Sequence, residues 1–242
     1  MPDQTASVWL IVPTYNEAEN LEPIVEAARK VLPESRRVLI VDDNSPDGTG
    51  EIADRLASEL PDVEVLHRHV KEGLGPAYIA GFKHALAAGA EKVMQMDADF
   101  SHDPNDLPRL LEASQNADLV IGSRYVAGGG VAEWGALRRF ISRGGSTYAR
   151  FMLGVKVRDL TGGYKCIRRE VLEAIDLDSV TSKGYAFQIE TTYRTIRAGF
   201  RVVEVPIVFR DRRVGNSKMS RAIFAEAIWR VPALRFRHRQ AV

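Results

Sequence analysis

Apolar positions along this chain gather in short runs, separated by longer stretches in which they recur at helical spacing. Val8–Val12, Val38–Val41, Val63–Leu66, Lys92–Met96 and Leu119–Ile121 are brief and rich in β-branched residues, the pattern of buried strands. Helical patterns lie between most of them, at Glu19–Val31, Gly48–Leu60, Gly75–Ala88 and Asn105–Ala113. Pro104 falls just before or in the first turn of the last of these, where proline is tolerated, and Gly89 falls where the third needs a stop. Strand and helix alternating at this spacing predict an α/β fold with a mostly parallel central sheet and helices on both faces. Val202–Phe209 predicts one more strand, with Pro206 marking a sheet edge or the strand's end because proline brings no N–H to a ladder.

The pattern changes after Gly128-Gly129-Gly130, the clearest flexible point. Residues 133–153 interleave arginines with Trp134, Leu137, Phe140, Ile141, Tyr148, Phe151, Met152 and Leu153, as an amphipathic helix or helix pair lying on a surface would. A helix packed on the core gives a similar pattern, since arginine stems also snorkel from ordinary helices. Residues 217–231 are again basic and apolar. No repeat or low-complexity segment interrupts the chain, so residues 1–242 are expected to form one domain with these two segments on one face. No stretch approaches the roughly 20 apolar residues of a spanning helix.

With 45% apolar and 27% charged residues the composition is that of a soluble globular protein. Cys166 is the only cysteine, which excludes an intramolecular disulfide and a cysteine-cluster zinc site. The N-terminus has no basic n-region ahead of an apolar core, so no secretory signal is read and a cytoplasmic location is expected. A net charge of +1 conceals an uneven distribution. Between Arg124 and Arg158 the only acid is Glu133, against seven basic residues; from Arg210 onward Asp211 and Glu226 face nine. An anionic partner for the second half is the natural expectation.

Three polar turns follow apolar strands: Pro13-Thr14-Tyr15-Asn16-Glu17, the stretch from Val41 to Thr49, and Asp97-Ala98-Asp99-Phe100-Ser101-His102. In a parallel sheet these turns converge at the carboxyl edge, where α/β proteins bind ligands. Asp97 and Asp99 could hold a hard divalent cation such as Mg²⁺ or Mn²⁺, or Asp-Ala-Asp could be a solvated turn capping the helix after Pro104. Asp43 or Asp42 could accept a hydrogen bond from a base or ribose, Tyr15 could pack on a nucleobase, and the helix starts could offer N–H groups to anions. Asp47 has the character of an N-cap. Gly73-Leu74-Gly75 lacks the third glycine of a dinucleotide fingerprint, and no P-loop motif exists. His67 and His69 read as surface or packing residues, whereas His102 directly follows the carboxylate pair.

Pro-Thr-Tyr-Asn-Glu at 13–17, Val-Asp-Asp-Asn-Ser-Pro-Asp-Gly-Thr at 41–49, Gly-Leu-Gly-Pro-Ala-Tyr at 73–78, Met-Asp-Ala-Asp-Phe-Ser-His at 96–102, Gly-Ser-Arg-Tyr at 122–125 and Asp-Arg-Arg-Val-Gly-Asn-Ser-Lys at 211–218 closely resemble glycosyltransferase family 2. Within it the match is to the dolichyl-phosphate (polyprenyl-phosphate) mannose synthases, in the correct order over nearly the whole chain. The resemblance implies a GT-A fold and transfer of mannose, with inversion, from GDP-mannose to a polyprenyl monophosphate on the cytosolic face of a membrane. It places Pro13, Tyr15, Glu17, Val41 and Asp43 in the nucleotide site, and Asp97, Ala98 and Asp99 at the sugar diphosphate and its metal. Arg124, Arg212 and Lys218 match positions near the phosphates, and Arg138 and Ser142 match the region that receives the acceptor phosphate. Some members carry glutamine as a metal ligand where this chain has Ser101, so either Ser101 or a water completes the shell.

A phosphomonoester acceptor is already an oxyanion near neutral pH, so no general base is assigned. The basic segments at 133–153 and 217–231 are expected to dock on the membrane surface. Many relatives carry membrane-spanning helices after the catalytic domain; here a separate membrane-spanning subunit or a longer natural chain would replace them. A UDP-glucose-dependent polyprenyl-phosphate glycosyltransferase is the alternative donor reading. A non-catalytic nucleotide-sugar module has no need for the full set of charge-compensating residues, and nucleic acid is not an expected partner.

Overall fold

A computed structural model describes residues 7–182, 184–211 and 231–236. The chain runs β1 (Val8–Thr14), α1 (Ala18–Val31), β2 (Arg36–Asp42), α2 (Thr49–Glu59), β3 (Val63–His67), α3 (Leu74–Ala87), β4 (Lys92–Gln95) and α4 (Leu107–Ala113). It continues through β5 (Leu119–Ser123), β6 (Gly130–Val131), α5 (Ala136–Leu153), β7 (Lys165–Arg168), α6 (Arg169–Ala174), α7 (Gly184–Arg197), β8 (Val202–Pro206) and β9 (Val208–Phe209). Seven strands form one sheet in the order β3-β2-β1-β4-β7-β5-β8, and β6 pairs with β9 in a small separate ribbon.

The alternating β/α pattern produced the parallel strands of the main sheet, and β7 is the strand of that sheet it missed. Lys165–Arg168 enters antiparallel between β4 and β5, a run of four residues too short to carry a strand pattern of its own. Pro206 plays both roles expected of it: β8 is the sheet's outer strand and stops there, after which β9 turns away to β6. Asp103, not the upstream carboxylate pair, starts the helix after β4, its side chain accepting from the amide of Asn105 at 3.0 Å. Gly128 and Gly129 form a packed turn that leads into β6 at Gly130, not a flexible link. A Cβ on Gly129 would lie 2.5 Å from the carbonyl oxygen of Ser123.

Successive residues of β1 feed opposite faces of the sheet, as strand geometry requires. Trp9 and Ile11 join Leu39, Tyr78, Phe82 and Phe187 in a core under α3 and α7. Val8, Leu10 and Val12 join Ile24, Ile40, Met94 and Leu107 in a second core under α1 and α4. Each such side chain contributes about 1.5–3 kcal/mol through burial. α3 lies close on the sheet because Gly81 has no side chain: a Cβ there would stand 2.6 Å from Ile11 Cγ2 and 3.2 Å from Val41 Cγ2.

α5 is a single helix that buries only Ser146, Ala149 and Leu153. Leu137, Phe140 and Phe151 are 72%, 77% and 82% exposed, too much for a core-packing helix. Of the segment 217–231, all but Val231 lies outside the described residues. His67 is a surface residue bonded to Asp54 at 2.8 Å.

Candidate active site

A cleft of about 540 Å³ opens at the carboxyl ends of β1, β2, β4 and β5. The chain leaves β1 toward β2 on one side of it and lies against β4 on the other, which makes this the topological switch point of the sheet. Pro13, Tyr15, Glu17 and Asp43 line one end, and Asp97, Ala98, Asp99 and Ser101 its middle. Arg124 and Arg138 stand in the same wall system.

The turn after β1 is held by the turn after β2. The amide of Asn16 donates to Ser45 Oγ (3.1 Å), that of Glu17 to Thr49 Oγ1 (2.9 Å) and that of Ala18 to Asp47 Oδ2 (3.2 Å). At the start of α1 the Ala18 amide is thus taken by the Asp47 carboxylate, and those of Asn20 and Leu21 turn back to the Glu17 carbonyl. Asp47 serves both helices: it also accepts from the amide of Thr49, while Gly48, at φ +90°, occupies the N-cap of α2.

Asp42 and Asp43 separate into two roles. Asp42 is buried and saturated by the hydroxyls of Thr14 (3.0 Å) and Ser45 (2.5 Å) and the Ser45 amide (3.1 Å). Asp43 faces the cleft with Arg68 on one oxygen. Burial raises the Asp43 carboxyl above its usual range, against the opposing pull of Arg68. Lys71 lies 3.4 Å over the ring of Tyr15, so one face of that ring already carries a cation. Val41 points into the core beside Gly81 and is not part of the cleft wall.

β4 ends at Gln95, and the next residues turn sharply, with Phe100 at φ +59°. Asp99 is 4% exposed, its Oδ1 accepting from the amide of Ser101 at 3.0 Å. Asp97 accepts from Tyr78 Oη at 3.3 Å; burial first, then the charge of Asp97, keeps that phenol protonated. Ser101 Oγ is buried and has no hydrogen-bond partner among the described residues. His102 is buried, stacked on Tyr164 at 4.7 Å, and receives the amide N–H of Asp97 on Nδ1 at 3.4 Å. Burial pushes its pKa down to about 4, so it is a neutral brace behind the turn.

Among the described residues, no group of three or more His, Cys, Asp or Glu side chains could hold a metal. Two carboxylates and an unpartnered buried hydroxyl nevertheless form a hard oxygen donor set, which fits Mg²⁺ or Mn²⁺ with further ligands from a bound phosphate or water.

Arg124, just past β5, is clamped by residues that sequence reasoning did not single out. Asp159, fully buried, takes Nε and Nη2 in a bidentate pair at 2.7 Å each, and Thr161 takes Nη2 at 2.7 Å. Arg124 holds the Asp159 carboxyl below its ordinary range despite burial, and Asp159 in turn raises the guanidinium. Arg138 pairs with Asp211 at 2.9 Å and lies 4.2 Å over Trp134. Ser142 bonds Tyr125 Oη at 2.6 Å and is not among the cleft-lining residues. Arg212 and Lys218 lie outside the described residues. The polar run Arg158-Asp159-Leu160-Thr161-Gly162-Gly163 was the available signal for the clamp; Lys71 and Gln188, also in the cleft wall, had none.

A polar cleft at the switch point of an α/β sheet, with paired carboxylates in its wall, accompanies a sequence of the sugar-transferring class: the chain belongs to glycosyl transferase family 2, whose model matches residues 9–176. Its fold is accordingly of the GT-A type. The chain is 54% identical over 221 residues to the undecaprenyl-phosphate mannosyltransferase of Micrococcus luteus, covering 91% of this chain and 90% of that protein. It is 52% identical over 229 residues to the polyprenol monophosphomannose synthase of Mycolicibacterium smegmatis, covering 94% and 86%. Among solved structures, glucosyl-3-phosphoglycerate synthase from Mycobacterium tuberculosis, in complex with Mn²⁺, UDP and glucosyl-3-phosphoglycerate, superposes with a TM-score of 0.71 at 19% identity, covering 95% of this chain and 80% of that one. At that identity the likeness is one of fold.

Proposed function

We propose that this chain, acting as one catalytic domain, transfers mannose from GDP-mannose to a polyprenyl monophosphate with inversion, using Mg²⁺ or Mn²⁺, at the cytosolic membrane face. The names of the two relatives above 50% identity support the sugar and the acceptor class. The observation that carries the reaction chemistry is the charge of the cleft. Among its described lining residues, Glu17, Asp43, Glu72, Asp97, Asp99 and Asp211 outnumber Lys71, Arg124 and Arg138. Both arginines are moreover already paired. A cleft so charged would repel a nucleoside diphosphate unless a cation accompanied it.

Two phosphate charges about 4 Å apart repel by about 4 kcal/mol at an effective dielectric near 20. Asp97 and Asp99, with Ser101 or water, would hold a divalent ion, and such an ion would neutralise charge on the departing diphosphate. Arg124, its Nε and Nη2 fixed on Asp159, presents its remaining edge as a rigid donor, which costs no reorganisation when charge develops. Arg138 and Trp134 line the same wall and suit the acceptor phosphate, with Arg212 and Lys218 as further cations for the diphosphate. The acceptor oxyanion needs no base. Purified protein with Mg²⁺, a short polyprenyl phosphate and a panel of sugar nucleotides tests the reading. GDP release from GDP-mannose is expected; preferential UDP release from UDP-glucose would overturn the donor.

No helix among the described residues is long and apolar enough to cross a membrane. α5 instead exposes Leu137, Phe140 and Phe151 between exposed Arg139, Arg143 and Arg150, which supports docking on an anionic lipid surface. Arg138 lies in the first turn of the same helix, so docking would bring lipid headgroups to the cleft. Flotation with anionic vesicles is expected to recover the native protein. Phe140→Glu with Phe151→Glu is expected to weaken recovery at least tenfold, since each lost insertion removes about 1.5–3 kcal/mol. Native protein that never floats, with or without a membrane-spanning partner, would refute docking.

A further inference from the structure

We infer that Gln188 reads a hydroxyl group of the donor sugar, its buried side-chain amide being held unpartnered in the cleft wall. The inference rests on the sugar-nucleotide reading above and assigns that site its sugar-recognising residue.

Gln188 lies in the second turn of α7 and lines the cleft at the end away from Tyr15 and Asp43, together with Gly163, Gly184 and Tyr185. It is 2% exposed, yet neither Oε1 nor Nε2 has a hydrogen-bond partner among the described residues. Leaving a buried polar group unpaired is costly, so native proteins rarely leave both ends of one amide so. The rest of the residue is fixed. Its backbone carbonyl accepts from the buried Lys165 Nζ at 3.1 Å, and the same nitrogen reaches the hydroxyls of Thr191 (3.3 Å) and Thr192 (3.0 Å), which pins this turn of α7 onto β7. Gly163 leaves room for the amide: a Cβ there would sit 3.3 Å from Nε2.

The chemistry of the group identifies its ligand. A primary amide offers an acceptor and two donors side by side, which suits alcohols, since each hydroxyl both donates and accepts. Phosphates are acceptor-rich and would be served here by the arginines and by a cation held on Asp97 and Asp99. The hydroxyls of a sugar nucleotide lie on its ribose and on its hexose; Asp43 is the acceptor read above for the ribose or base, which leaves the hexose to Gln188. Hexose epimers differ in the direction of a single hydroxyl, and a buried site that hydrogen-bonds a substrate hydroxyl rejects the analogue that cannot answer it.

The test compares native protein with Gln188→Met, which keeps the shape and removes the amide, and with Gln188→Ala. Kd for the nucleoside diphosphate with Mg²⁺, by calorimetry, is expected to stay within about twofold, which also reports that each variant folds. kcat/KM for the preferred donor is expected to fall roughly 10–100-fold, the equivalent of losing one or two good hydrogen bonds. The ratio of kcat/KM between that donor and its single-hydroxyl epimer on the same nucleotide is expected to move at least fivefold toward unity. A merely structural glutamine would lower both donors alike and leave the ratio where it was; that result in Gln188→Met, with nucleotide binding intact, overturns the inference alone. Native protein that binds no sugar nucleotide more tightly than the bare diphosphate, and turns none over, overturns the sugar-nucleotide reading and this inference with it. Preference for a UDP-sugar would correct the donor only, and the epimer ratio would then be read on UDP-hexoses.

Discussion

Asp99→Asn is expected to lower sugar transfer by at least about 10³-fold while leaving the far-ultraviolet circular dichroism and the thermal midpoint close to native. The reason lies in what the substitution keeps. Oδ1 of Asp99 accepts from the Ser101 amide, and the carbonyl of asparagine can do the same, so the turn after β4 survives. What disappears is the charge of a buried carboxylate, 4% exposed, beside the orphaned Ser101 hydroxyl. A metal that offsets developing charge is worth several kcal/mol, and each 1.36 kcal/mol is tenfold in rate. Turnover should also vanish on chelation of divalent ions and return on adding Mg²⁺ or Mn²⁺. Undiminished turnover in Asp99→Asn would remove the metal from the site.

Asp159→Ala should act on stability as strongly as Asp99→Asn acts on rate. Its carboxylate is fully buried and neutralises Arg124 from behind, while also accepting the Arg124 backbone amide at 3.0 Å. Removing one partner of a buried pair leaves the other charge uncompensated, a loss of about 3–5 kcal/mol. For a chain of this size that lowers Tm by roughly 6–20 °C in calorimetry. The pH dependence has a definite sign. Because the folded-state pKa of Asp159 is depressed, its stabilisation is complete above the unfolded value near 3.9 and is lost as pH falls through the lower folded value. The variant should therefore lose part of the native protein's acid sensitivity below about pH 4. Combining it with Arg124→Met should recover some of the lost stability, since no charge is then stranded. A single variant within 1 kcal/mol of native would show that the pair is not the clamp its geometry suggests.

Much of the sheet was legible because period and length speak directly: β1, β2, β3 and β5 are runs of β-branched residues, and the helices between them repeat at 3.6. β7 was not, because four residues buried by their neighbours on both sides carry no alternation of their own. The convergence of Tyr15, Asp43, Asp97 and Asp99 followed from strand ends alone, since a parallel sheet brings such turns to one edge. Partnerships across long separations were invisible. That Asp42 is consumed internally while Asp43 faces the cleft depends on where Thr14 and Ser45 fall, and that Arg124 is clamped by Asp159 depends on a crossover 35 residues later. Val41 illustrates the reverse: a strand residue inherits its direction from the pleat, which sends it toward α3 and away from the cleft.

Ser45, Asp47 and Thr49 act as a mould for the loop that carries Tyr15 and Glu17, through contacts that span 29 to 32 positions of chain. The shape of one rim of the cleft is thus encoded in a loop that supplies only Asp43 to its surface. Substitutions at those three positions would register as weakened ligand affinity in residues that touch no ligand. Drift in either loop is consequently constrained by the other, and the two must change together or not at all.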